Sequence, residues 1–124
     1  MNRKEEILHQ KISEAWANTH IFEHPEKQRL YCNWTNAQSK QYGAKMRTMG
    51  VKTGISDWTY MLDNGKSVYI ELKTDDGHQS PDQKKFENLC LSLNHTYKIA
   101  RSYSEFWECC GINEPIPENE LKTK

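Results

Sequence analysis

The chain predicts an α/β fold: a mixed central sheet flanked by helices, in one domain. Two observations carry that expectation. Periodicity and turn signals give the element order α-β-α-β-β-α-β-α, which suits a sheet covered by helices. Asn64-Gly65 lies between two apolar-alternating runs, a strong hairpin signal. A length of 124 residues fits a single core.

Arg3 to about His20 reads as an amphipathic helix, with Leu8, Ile12 and Trp16 on one face. Pro25 belongs to a connecting loop. Arg29 to Trp34 alternates, with Leu30, Cys32 and Trp34 on one side, and reads as the first strand. Thr35-Asn36-Ala37-Gln38 has capping-box spacing, so Ala37 to Met49 is read as a helix of poor apolar periodicity. Trp58 to Leu62 and Ser67 to Lys73 form the hairpin. Ser80, Pro81 and Gln83 are the cap, first turn and capping-box partner of the next helix, with Phe86, Leu89, Cys90 and Leu93 as its core stripe. Thr96 to Arg101 is a strand and Tyr103 to Cys110 a helix packing through Phe106, Trp107 and Cys110. Strands one to three are expected as a meander, with the last joining across the central helix. From Glu114-Pro115-Ile116-Pro117 onward the chain reads as an extended, mobile tail, so the expected division is a domain over 1–112 and a flexible tail over 113–124.

The hairpin phase decides which side chains meet. A two-residue loop pairs Trp58 with Glu71 and mixes the faces. A three-residue loop, Asn64 to Lys66, pairs Leu62 with Val68, Tyr60 with Ile70 and Trp58 with Leu72, and gathers the apolar residues on one face. Burial should select it. The opposite face then carries Asp57, Thr59, Met61, Tyr69, Glu71 and Lys73, with Asp57 across from Lys73. Two carboxylates and an amine on adjacent strands are the groups needed to hold a hard divalent cation and a water beside a phosphodiester. Gly54 permits a tight or positive-φ approach to Asp57. The bland alternative is an exposed sheet face with ordinary surface charges.

The segment from about Gly50 to Ser104 resembles the VRR-NUC family, a branch of the PD-(D/E)xK nucleases with the restriction-endonuclease-like fold. The match is Gly54-x-x-Asp57, then Glu71-x-Lys73, then Ser80-x-x-Gln83, then a helix, a strand and a final helix. The lead-in Met49 to Gly54 looks most like standalone members of phages and prophages. The resemblance implies Mg²⁺ or Mn²⁺ on Asp57, Glu71 and the Leu72 backbone carbonyl, with Lys73 acting on the attacking water and Gln83 near the site. It further implies a glutamate from the first helix. Glu5 falls beside Leu8 and Ile12 and is the candidate, with Glu6 as the alternative; both also read as favourable charges at a helix N-terminus. Ser56 replaces the family's usual proline, and Asn94 replaces a glycine that often ends the central helix. Neither is a metal ligand, and Asn tolerates a left-handed cap.

The resemblance thus implies a divalent-metal-dependent deoxyribonuclease acting on structured or branched DNA, often as a homodimer, inside a bacterial or phage-infected cell. Net charge is zero, which gives no global attraction to nucleic acid. No acidic residue occurs between Glu26 and Asp57, while Lys27, Arg29, Lys40, Lys45, Arg47 and Lys52 do. Of these, Lys40, Lys45, Arg47 and Lys52 are the candidate phosphate contacts. No run is apolar enough for a membrane helix, and Met1 to Glu6 is followed by no signal-peptide core. Cys32, Cys90, Cys109 and Cys110 lack Cys-x-x-Cys spacing and read as free thiols of a reducing cytoplasm. His20 and His24 near Cys32 make a poor zinc site and read as surface histidines. Two rival readings are a catalytically silent nucleic-acid-binding module on the same fold, and a small assembly protein without nucleic acid.

Overall fold

Ten short elements alternate along the chain in the computed structural model, which describes residues 2–19, 26–33 and 40–124. His20, His24, Pro25, Trp34 and the predicted cap Thr35 to Gln38 lie outside the described residues, as does the side chain of Lys40. The elements are α1 (Arg3–Asn18), a 3₁₀ turn (Glu26–Arg29), β1 (Leu30–Cys32), α2 (Lys40–Thr48), β2 (Trp58–Met61), β3 (Ser67–Leu72), α3 (Pro81–Ser92), β4 (Thr96–Ala100), α4 (Tyr103–Cys110) and a 3₁₀ turn (Glu118–Glu120). One sheet has the order β1-β2-β3-β4. The first three strands are an antiparallel meander and β4 joins β3 in parallel across α3, as expected.

Parity in the hairpin is as predicted, but the register is shifted by two residues. Trp58 pairs with Ile70, Thr59 with Tyr69 and Tyr60 with Val68. Leu62 N–H donates to Lys66 O at 2.8 Å, so the loop is Asp63-Asn64-Gly65. Gly65 takes φ +79°, and the Asn64 side chain accepts from Lys66 N–H at 3.2 Å. A turn closed by a left-handed glycine is a favoured three-residue hairpin loop. Arg29 reinforces it, pairing with Asp63 at 2.9 Å and donating to Met61 O at 2.9 Å.

The apolar face is buried. Leu30, Trp58, Tyr60, Val68, Ile70, Leu72 and Ala100 pack against Leu8, Ile12, Ala15 and Trp16 of α1 and Tyr103, Phe106, Trp107 and Cys110 of α4. Expected edge strand β1 is shorter than predicted, and Cys32 is exposed rather than beside Leu30 in the core. The other face is covered by α3 through Phe86, whose ring meets Tyr69 at 5.4 Å and Tyr97 at 6.1 Å edge-on. Only Cys90 of the predicted α3 stripe is fully buried; Leu89 and Leu93 are exposed. The reason is geometric. Phe86 and Cys90 suffice to meet a face already filled by tyrosines. All four cysteines are free.

Helix ends are closed locally. Asn2 and Glu5 form a capping box on α1, Ser80 and Gln83 on α3. Asn94 takes φ +63°, and His95 N–H donates to Cys90 O while Asn94 N–H donates to Leu91 O, a Schellman closure with Asn where glycine is commoner. Among the described residues no helix is long and apolar enough to cross a membrane.

Residues 113–124, expected as a mobile tail, lie against the domain. Leu121 is buried in the main core. The Glu14 carboxylate accepts from Lys122 N–H at 2.6 Å, Thr123 N–H at 2.8 Å and the Thr123 hydroxyl at 2.6 Å. Tyr103 donates its hydroxyl to Ile116 O. Proline content limited the helix reading, but one apolar anchor and one hydrogen-bonded carboxylate dock the segment. Leu121→Ala should therefore lower unfolding free energy by about 2–4 kcal/mol in urea titration, the cost of a core leucine rather than of a loose end.

Candidate active site

Extending the β2–β3 pairing by one residue sets Asp57 opposite Glu71, not Lys73. The two-residue register shift therefore brings the carboxyls closer in the ladder than the sequence reading placed them. Asp57 is half-buried and its Oδ2 accepts from Leu72 N–H at 2.8 Å, pinning the carboxylate to the main chain beside Leu72. Glu71 is 2% exposed. Its Oε1 accepts from Gln83 Nε2 at 3.0 Å. Gln83 thus serves both predicted roles: its Oε1 accepts from Ser80 N–H at 2.8 Å while its amide reaches the site.

Burial, then the neighbouring Asp57 charge and a hydrogen bond between the two carboxyls, push Glu71 up to about 9; Lys73 opposes and Glu5 adds to the rise. A like-charged pair out of water shares one proton at neutral pH. With both groups ionised, Glu71 Oε2 is buried without a donor. That orphaned oxygen and the excess negative charge suit a divalent cation. Among the described residues no three His, Cys, Asp or Glu side chains close into a cage. Two carboxylates and a main-chain carbonyl are instead the sparse set that Mg²⁺ accepts while keeping waters and substrate oxygens.

Glu5, not Glu6, faces this pair. Glu5 is 7% exposed, accepts from Asn2 N–H at 3.3 Å and acts electrostatically on Glu71. Glu6 is half-buried and lies 3.9 Å from Arg3. Lys73 continues β3, half-buried, with its main-chain N–H donating to Ala100 O at 3.1 Å. Gly54 holds φ +81°, and a Cβ there would sit 2.7 Å from the Asp82 main chain, so the loop into Asp57 packs directly on the start of α3. Ser56 is fully buried and donates to Trp58 O at 3.3 Å.

Of the cationic stretch, Lys27 and Arg29 are structural: Lys27 donates to Trp16 O and Thr19 O, and Arg29 braces the hairpin. Lys45, Arg47 and Lys52 are exposed. Arg47 and Lys52 line a groove together with Asp57; Lys45 does not.

No protein-family model and no curated protein sequence matches the chain. A solved structure described as a VRR_NUC domain protein aligns with TM-score 0.62 at 17% identity, over 87% of this chain and 84% of its own. The fold is the VRR_NUC fold. It is the restriction-endonuclease-like arrangement of a mixed four-stranded sheet between helices.

Within this VRR_NUC fold, sequence reasoning passed over two side chains, His9 and Asn33. His9 is buried, stacks on Trp58 at 4.6 Å, and is held below its ordinary pKa by burial, with Asp57 pulling the other way. Its signal was the four-residue spacing from Glu5 on one helix face. Asn33 donates its amide to Thr59 Oγ1 at 2.8 Å and its main-chain N–H to Asp57 O at 2.7 Å, fixing the loop beside the site.

Two measurements check this geometry. Glu71 binds a proton in the metal-free folded state over a range where the unfolded chain has lost it, so stability should fall as pH rises from about 4.5 toward 9. Glu71→Gln should flatten that profile and raise stability at pH 8 by about 1–3 kcal/mol, read by chemical denaturation in chelator. Gly54→Ala should cost about 1–3 kcal/mol in the same assay, since both its φ and the Asp82 contact oppose a side chain.

Proposed function

We propose that the chain is a divalent-metal-dependent endonuclease that hydrolyses DNA phosphodiester bonds, on structured or branched DNA. The observation supporting this reading is the pairing of half-buried Asp57 with buried Glu71, with a lysine two residues along the same strand as Glu71. Asp57, Glu71 and the Leu72 carbonyl would hold Mg²⁺ or Mn²⁺, with Glu5 behind them. Such an ion would polarise the scissile phosphate and make its bound water acidic.

The chain's own groups supply the remainder. Gln83 donates to Glu71 and orients it. Leu72 N–H holds the Asp57 carboxylate in place. Lys73 offers a cation beside the attacking water and the pentavalent phosphate as charge accumulates there. In-line attack expels the 3′-oxygen and leaves a 5′-phosphate. Arg47 and Lys52, with Lys40 and Lys45, would meet flanking phosphates. Pairing of two copies, which would present two sites to one branched duplex, belongs to the same proposal; exposed Leu89 and Leu93 on α3 offer apolar surface for it.

Incubation with Mg²⁺ and branched, flapped, single-stranded and plain duplex DNA tests the reading. Wild type should cut at least one form, and Lys73→Ala should cut it about 10²–10³-fold more slowly while still binding. Binding without cutting by wild type, in Mg²⁺ and in Mn²⁺, would instead make the chain a silent binding module.

A further inference from the structure

The groove beside Asp57 is not used by the residues assigned above except at its rim. It lies between α2 and residues 51–57, open to solvent, with a volume of about 270 Å³. Met46, Val51 and Ile55 line it with apolar surface, and exposed Arg47 and Lys52 line it together with Asp57. Among the described residues neither cation is paired with a carboxylate. Gly43 is buried where α2 faces the space, which keeps it open.

We propose that this groove is a subsite for one unpaired nucleotide adjoining the scissile phosphate. The inference rests on the nuclease reading and names the substrate feature that the site selects. A paired duplex offers a protein only phosphates, sugars and base edges; its base faces are hidden in the stack. An apolar floor gains nothing from it. A base out of the stack presents a flat apolar face to Met46, Val51 and Ile55, while its phosphates meet Arg47 and Lys52. Because Asp57 also lines the groove, a nucleotide seated there lies beside the carboxylate pair. A site that receives an already unpaired base saves the cost of unstacking one, which translates into a preference for DNA that is locally open.

The test compares a fully paired duplex with the same duplex carrying one unpaired 2-aminopurine. Lys73→Ala protein in Mg²⁺ cuts slowly enough for affinity to be read by anisotropy before the DNA is cleaved. The unpaired form should bind about tenfold tighter. Its 2-aminopurine should become shielded from acrylamide quenching on binding. Val51→Trp, which fills the groove, should remove the preference and leave paired-duplex affinity within about twofold. Should Val51→Trp fail to fold, the shielding measurement decides alone. Equal affinities, or a 2-aminopurine as quenchable bound as free, would overturn the subsite while leaving the nuclease proposal standing. No binding to any DNA form, together with no cutting by wild type, would overturn both.

Discussion

Burial of one face of the β2–β3 hairpin is the constraint on which the other elements depend. Trp58, Tyr60, Val68, Ile70 and Leu72 are each almost wholly removed from water between the sheet and helices α1 and α4. At ~1.5–3 kcal/mol for each large apolar side chain, five of them contribute on the order of 10 kcal/mol. That is comparable with the whole net stability of a small domain. A slip of one residue would turn this set outward and drive Thr59, Tyr69 and Glu71 into the apolar core. No turn preference or surface ion pair in the hairpin is large enough to compete. The alternation therefore places every polar residue of the two strands on the side where α3 begins.

What that side then carries is unfavourable by itself. Glu71 has lost its water, faces a second carboxyl, and gains only one amide donor from Gln83. Such pairs destabilise a metal-free fold, and are tolerated where the charge is needed for something else. The surroundings keep the arrangement rigid without neutralising it. Asp57 is anchored through Leu72 N–H, its strand is tied to Asn33, and Gly54 lets the preceding loop press against Asp82. Negative charge is thus concentrated by backbone geometry beside a groove that Arg47 and Lys52 also line.

Much of this could be read before any coordinates. The composition of the hairpin faces follows from period-two alternation alone, and so did the grouping of Asp57, Glu71 and Lys73. The register did not, because shifting by two preserves the faces; only the left-handed Gly65 and the Lys66 carbonyl distinguish the loops. Helix phase was enough to favour Glu5 over Glu6. It was not enough for α3, where a sequence stripe looks the same whether its leucines meet a core or water. Leu121 was hidden among prolines and charges, since a single apolar anchor has no periodicity to betray it. His9 was missed because a histidine on an apolar helix face is usually just packing. Its proximity to Asp57 is a tertiary fact.

Gln83 joins two requirements in one side chain. Its oxygen closes the first turn of α3 and its nitrogen holds Glu71. Helix capping by itself treats glutamine and glutamate as equals at this position. The site does not, for a glutamate would keep the cap and turn a third acidic oxygen toward a carboxyl already short of donors. Here the identity of a capping residue is dictated by what lies across the gap, so drift at position 83 is confined by chemistry even where folding would permit it.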